Sequence, residues 1–458
     1  MAYVKNAGQL SEHGNREARR AALEIIEYAL ARSNPYGPTK GIVSVQGDQL
    51  VVDDLRFDLK KQRRIFVLGA GKATYPIAKA LEEILGDRIF GGLIVSKYGH
   101  QKKLGHVKLY SAGHPIPDES GFKASQKILN LAKKTRAGDI IFGCITGGSS
   151  ALLPFPVKGV TLAEKKAVTD LLLTSGANIV EINAVRKHLS RIKGGRLAKA
   201  IHRRAHLINL TVSDVIGDPL DCISDQTVPD TSTFDDARYT LAKYDLWTKV
   251  PESVAEFLRN GGPEQETVKK VDLAGHNRHD FILVKGNTAC ESAAEKAREL
   301  GFDTMILSTM FEGESKELGR TFSAIAGEIS LNHRPLSPPC VLIGGGETTV
   351  KIAGKTGKGG PNQEFAIGAA LFIENMKNVV IVGLDSDGTD GPTEFAGAMV
   401  DDSVLFRARN AGIDLFDCLK RHDVTPALRK LGDAILTEDT GTNVNDLKFM
   451  VISLYRDN

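Results

Sequence analysis

Residues 64–85 read RIFVLGAGKATYPIAKALEEIL. Arg64 to Leu68 is a short apolar run and Gly69 to Ala73 is a glycine turn. After it, Ile77, Ala78, Leu81, Ile84 and Leu85 recur at helical spacing, so the unit is strand, turn, helix. Before it, Glu17 to Ala31 has helical periodicity. Beyond it, Gly92 to Ser96 reads as a strand, Gly121 to Lys134 as a helix, and Asp139 to Ile145 as a strand that runs into TGGSSALLPFP. Alternation of this kind predicts a parallel sheet covered by helices.

The pattern continues along the chain. Thr161 and Glu164 have the spacing of a capping box, which starts a helix through Ser175. The next helix places Ile179, Ile182, Val185, Leu189 and Ile192 on one face, and Gly194 and Gly195 interrupt it. Leu207 to Val212 is a strand opening into SDVIGDP. Pro229 to about His279 turns polar and helical, as a boundary region would. A second alternating series follows: strand 282–284, helix 288–300, strand 305–308, helix 314–329, and strands 340–343, 379–382 and 449–454. A chain of 458 residues exceeds what one core usually organises, so two α/β domains are expected, with the site in the cleft where their loops face each other.

Composition excludes several classes. A net charge of +3 without a basic stripe argues against nucleic acid, and no apolar run is long enough to span a membrane. The first twenty residues lack an apolar core and cleavage site, so secretion is not expected. The five scattered cysteines, with no CxxC pair, suit a reducing cytoplasm and indicate neither a zinc site nor a disulfide framework.

The loops carry the candidate chemistry. GAGKA hands a strand to a helix, where Lys72 would reach an anion; the alternative is a tight turn with a solvated lysine. TGGSS follows a buried strand, so Gly147, Gly148, Ser149 and Ser150 can hold phosphate oxygens. Its flanks do not make the G-x-S-x-G elbow of a serine nucleophile. Asn183, Arg186, Lys187, His188 and Arg191 put several donors on one helix, either a grip for a carboxylate, with Arg186 or Arg191 as the bidentate partner, or a solvated cationic face. Asp214 ends a strand and could orient or deprotonate a hydroxyl, while Asp218 suits an Asx turn. Three glycine-dense turns in LIGGGETT, KTGKGGPNQEF and GLDSDGTDGPT suit a polyphosphate and its magnesium ion. In them Gly345, Gly346, Glu347, Thr348, Lys355, Lys358 and Asn362 are candidate nucleotide contacts, and Asp385, Asp387 and Asp390 are candidate metal ligands, with turn-forming aspartates as the alternative.

Set together, the motifs resemble the glycerate 2-kinase family, whose C-terminal half is called the MOFRL domain. They are GAGKA, GHPIPDESG, TGGSSALLPFP, INAVRKHLSRIKGGRLA, SDVIGDP, TVPDTST, GGGETTVKI, GKGGPNQEF, DGTDGPTEFAG and TGTNVNDL, ten in one order over nearly the whole chain. The resemblance implies an N-terminal Rossmann-like parallel sheet with helices on both faces, here drawn as 1–245, and a smaller C-terminal α/β domain, 246–458, with the final strand a candidate to return to the first. It also implies ATP-dependent phosphorylation of D-glycerate at its 2-hydroxyl, with Mg2+, and Lys72 in the active-site cleft. A homodimer is one option for the assembly. Pro361 stands where the family often has arginine, so Lys355, Lys358, Arg186 or Arg191 would have to supply that charge. Two other classes compete: a nicotinamide-dependent hydroxypyruvate reductase, although GAGKAT lacks the last glycine of G-x-G-x-x-G, and a non-catalytic sensor of phosphorylated acids.

Overall fold

The computed structural model describes residues 2–61, 64–99, 103–352 and 354–454. They form two packed units. One comprises Pro35–Ser213 and Asp218–Leu283; the other comprises the chain up to Asn34, Asp214–Gly217, and the chain from Val284 on. This division differs from a single cut between 245 and 246. The reason is the helix Arg16–Ser33, whose Ala22, Ile25, Ile26 and Ala29 share a core with Val380, Val382, Phe449 and Val451. Its buried Arg19 is fixed by Asp401 (Nε to Oδ2, 2.5 Å) and Asp433 (Nη2 to Oδ1, 2.9 Å).

The first unit opens with an antiparallel meander, β1 (Val43–Gln46), β2 (Gln49–Val52) and β3 (Leu55–Asp58). Its main sheet holds β4 (Ile65–Ala70), β5 (Ile89–Lys97), β6 (Lys108–Ala112), β7 (Ile140–Ile145), β8 (His206–Val212) and β9 (Asn277–Val284), in the order β6-β5-β4-β7-β8-β9. The pairs from β6 across to β8 are parallel. β4 and β7 are buried at every position, as strands of a parallel sheet covered on both faces must be. Strand order reverses between these two, so the turns leaving their carboxyl ends flank the switch point where such sheets bind ligands.

The second unit carries β10 (Asp303–Phe311), β11 (Cys340–Gly346), β12 (Val379–Asp385), β13 (Gly397–Asp401), β14 (Ala434–Ile435) and β15 (Asp446–Ile452), ordered β10-β11-β15-β12-β13-β14. Only β10 and β11 pair in parallel; β15 lies antiparallel between β11 and β12. The final strand therefore stays in this sheet. Alternate residues feed two cores: Leu342, Ile381 and Met450 pack with the helices Ser315–Asn332 and Pro361–Ala370, whereas Val341, Val380 and Phe449 face the N-terminal helix and the helix Thr288–Glu299.

Candidate active site

In the first unit the two switch-point turns are stitched together. Thr146 N–H donates to Ala70 O at 3.0 Å, Lys72 N–H to Gly147 O at 2.8 Å, and Ala73 N–H to Thr146 Oγ1 at 3.1 Å. Gly148 has φ +84°, and a Cβ there would lie 3.0 Å from His114 Nε2 and 3.2 Å from Lys72 Cγ. Glycine is thus needed both for its backbone and for the approach of two side chains. Among the described residues, no acceptor meets the N–H groups of Gly147 or Gly148. The half-buried Lys72, the half-buried His114 and this loop lie together at a donor-rich edge of the sheet. His114 belongs to GHPIPDESG, a stretch in which sequence reasoning singled out no residue.

The hydroxyls of TGGSS lead to buried polar groups. Lys193 is 1% exposed; its Nζ donates to Ser150 Oγ at 2.5 Å and to Asp225 Oδ2 at 2.6 Å. Gln226 Nε2 donates to Ser149 Oγ at 3.1 Å. Ser224 Oγ donates to Ile145 O, the last carbonyl of β7, at 3.3 Å, which docks this segment against the strand end. Burial lowers the Lys193 pKa to about 8; the Asp225 carboxylate opposes that fall and the Arg186 guanidinium adds to it. Lys165 is also buried, and it donates to Leu189 O at 3.0 Å, just past a helix C-terminus where a cation is favoured. Burial, then repulsion from Lys193 and Arg186, drives the Lys165 pKa well below the ordinary lysine range.

The basic helix spans Ile179–His188, started by a capping box between Asn178 and Glu181. It stops short of the expected Gly194 because the chain turns aside: Arg191 N–H donates to Phe155 O at 2.8 Å and Ser190 bridges Pro156. Ile179, at the start of the helix, is exposed and not part of an apolar face. Nor is the helix a solvated cationic face, since Asn183, Lys187 and His188 are buried. Lys187 Nζ pairs with Asp230 at 2.9 Å, and His188 Nε2 with Glu266 at 2.6 Å. The two candidate arginines part company. Arg186 is half-buried, with a pKa lowered by burial and supported by Asp225. Arg191 lies outside the helix, exposed, over the Phe155 ring at 4.5 Å.

In the second unit, the glycines of LIGGGETT prove to be strand. Gly345 and Gly346 belong to β11, and a Cβ on Gly346 would meet Phe311 O at 2.2 Å, so close packing of β10 requires it. Glu347 is exposed. Thr348 is buried, accepting from Ser315 Oγ at 2.8 Å and donating its N–H to Asp446 Oδ2 at 3.3 Å. Asp446 faces the carboxyl ends of β11 and β12, where it pairs with Gly346 and Asp385. It also accepts from Asn362 Nδ2 at 2.7 Å and Lys448 Nζ at 2.5 Å. Lys355 is exposed, and Lys358 is exposed and paired with Glu394.

The three candidate metal ligands do not assemble: among the described residues, no group of three His, Cys, Asp or Glu is placed to hold a metal ion. Each Asp390 oxygen accepts two N–H donors, Oδ1 from Asn362 (backbone 2.9 Å, side chain 3.2 Å) and Oδ2 from Gln363 (2.9 and 3.1 Å). Asp390 therefore anchors the first turn of the helix Pro361–Ala370. Burial lifts its pKa to about 7, opposed by those N–H groups and reinforced by Asp446. Asp385 Oδ1 accepts from Asp387 N–H at 2.9 Å, and Asp387 Oδ1 from Thr389 N–H at 2.8 Å, both in the turn that ends β12. Asp214 belongs to this unit by packing and accepts from Asn443 Nδ2 at 2.7 Å.

Residues 21–259 match a family described as a domain of unknown function, DUF4147, and residues 340–446 match the MOFRL family. A glycerate 2-kinase of Pyrococcus horikoshii is 42% identical over 443 residues, which cover 96% of this chain and 98% of that protein. The chain belongs to the glycerate 2-kinase family. The crystal structure of a glycerate kinase from Thermotoga maritima matches with a TM-score of 0.79 and 36% identity, covering 94% of this chain and 99% of that one. A protein of Agrobacterium vitis, provisionally named a hydroxypyruvate reductase, is 38% identical over 391 residues, covering 85% and 99%.

Proposed function

We propose that the protein transfers a phosphoryl group from ATP to the 2-hydroxyl of D-glycerate, giving 2-phosphoglycerate. The observation that carries this reading is the pair of interlocked turns at the ends of β4 and β7, in a chain related to glycerate 2-kinases over nearly its whole length. Gly147 and Gly148 fit a phosphate oxygen, because their N–H groups have no protein acceptor among the described residues and a Cβ on Gly148 would fill the space. ATP supplies the phosphoryl group, and its Mg2+ neutralises charge on the phosphate oxygens. The chain contributes alignment and fixed charge. Lys72 is assigned to the developing charge on the phosphoryl group, Lys193 and Arg186 to the substrate carboxylate, and Asp214 to aligning the hydroxyl. Asp385 and Asp387 are the proposed Mg2+ contacts; with all its lone pairs taken, Asp390 does not fit that role.

The reductase reading is less well supported. The position of the third fingerprint glycine after β4 is Thr74, buried, with its hydroxyl donating to Cys144 O at 2.7 Å. The five free cysteines support a cytoplasmic setting, and among the described residues no helix is long and apolar enough to cross a membrane. The test is incubation of the purified protein with ATP, magnesium and a panel of small sugar acids, followed by phosphorus NMR. The expected product is 2-phosphoglycerate from D-glycerate. Oxidation of NADH with hydroxypyruvate, and no phosphorylated product, would replace this reading with the reductase; binding without turnover would replace it with a sensor.

A further inference from the structure

Among the described residues, two buried acceptor atoms beside TGGSS have no partner. Asp225 is 4% exposed and Gln226 fully buried, yet Asp225 Oδ1 and Gln226 Oε1 accept no hydrogen bond from any of them. Their companion atoms are engaged: Asp225 Oδ2 receives Lys193 Nζ, and Gln226 Nε2 donates to Ser149 Oγ. Buried polar atoms are nearly always paired, so two adjacent orphans of the same sense ask for a donor from outside the protein. A carboxylate oxygen accepts only, so Asp225 cannot meet an anion. The partner must therefore carry a donor, and the donors that a hydroxy acid offers are its hydroxyls. Lys193, bonded to both Asp225 and Ser150, sets a cation beside these acceptors.

We infer that Asp225 Oδ1 and Gln226 Oε1 form a subsite that reads a hydroxyl of the acid substrate other than the one phosphorylated. The inference rests on the glycerate-phosphorylating reading, in which that group is the 3-hydroxyl. The cation binds the carboxylate, the hydroxyl donates its proton to one of the two acceptors and a water serves the other, so the site selects dihydroxy over monohydroxy acids. D-lactate, with a methyl group where D-glycerate has CH2OH, leaves the acceptor of that hydroxyl buried and unpaired. Sites built to bond a substrate hydroxyl discriminate strongly against analogues that lack it.

The experiment compares D-glycerate with D-lactate, by kcat/KM and by titration calorimetry, in the full-length protein. Wild type should prefer D-glycerate by at least about a hundredfold. Gln226→Met, which keeps the volume and removes the acceptor, should cut that preference tenfold or more and leave the KM for ATP unchanged. Gln226→Glu, which keeps an oxygen in place, should retain most of it. Equal handling of the two acids by wild type, or a preference unmoved in Gln226→Met, overturns the subsite. If a Gln226 variant does not fold, equal binding of the two acids by wild type in calorimetry still overturns the subsite. The two readings fail separately: phosphorylation of both acids with equal efficiency removes the subsite and keeps the kinase, whereas tight, selective glycerate binding without phosphoryl transfer does the reverse.

Discussion

Replacing Lys193 with Met removes the only hydrogen-bonding partner that the Asp225 carboxylate has among the described residues, where Oδ2 bonds Lys193 and Oδ1 bonds nothing. Both side chains are almost wholly buried, 1% and 4% exposed. Breaking such a pair from one side typically costs about 3–5 kcal/mol, since a bare charge stays behind in the interior. At about 2–4 °C per kcal/mol for a unit of 150–250 residues, Tm should fall by roughly 6–20 °C. The double variant Lys193→Met/Asp225→Leu leaves no lone charge and should recover at least half of that loss, because apolar replacements of a buried pair are often nearly neutral. Activity should behave differently. If the ammonium also faces the substrate, the double variant regains stability and stays about a hundredfold or more below wild type in kcat/KM. Calorimetric unfolding and a coupled ATP-consumption assay on the same samples read both quantities. A Tm within 2 °C of wild type for Lys193→Met would refute the electrostatic account, and restored turnover in the double variant would make Lys193 purely structural.

The pH dependence offers a second check. The Lys193 pKa is about 8 in the folded protein against about 10.4 for an ordinary lysine, so between these values the unfolded chain binds more protons. This group therefore makes stability rise with pH over that window, while turnover that needs the ammonium falls above about pH 8; Lys193→Arg should remove the falling limb, and its persistence there would assign the limb elsewhere. Lys72→Ala should lower kcat by about a hundredfold or more with an unchanged Tm, and near-normal turnover would remove Lys72 from the mechanism. Arg186→Ala should raise the KM for glycerate and spare that for ATP, whereas Arg191→Ala, which loses its stacking on Phe155, should leave both near wild type; the opposite order would return Arg191 to the site. Asp387→Asn should raise the magnesium concentration needed for half-maximal rate. Asp390→Asn should instead lower Tm with the magnesium requirement unchanged, because it anchors Asn362 and Gln363; equal magnesium curves for wild type and Asp387→Asn would leave Asp387 a turn residue.

What could be read from the sequence follows the range of the interactions involved. β4, β7 and the helix Thr74–Leu85 were legible because their signals are local: an apolar run or a helical stripe, with glycine between. The Thr161 capping box forms both of its bonds, since each spans only three residues. The short meander β1 to β3 has four-residue strands with mixed exposure and no strong period. The end of the basic helix was hidden too, because pairing with residues 155–157 and not a local breaker decides it. The same division runs through the site. Lys72 and TGGSS announce themselves as glycine turns after strands. Lys193 looks like one more surface cation, and only Asp225, 32 residues further on, makes it a buried charge with a lowered pKa. Aspartates and glycines mislead in the opposite sense: Asp390, in a metal-like series with Asp385 and Asp387, is spent on the N–H groups of Asn362 and Gln363, and the glycines of β11 serve strand packing. A motif thus reports where a loop lies more reliably than what each side chain in it does. That second question turns on which polar atoms remain unpaired once the chain has folded, and beside the switch-point turns those atoms include, among the described residues, the N–H groups of Gly147 and Gly148, Asp225 Oδ1 and Gln226 Oε1.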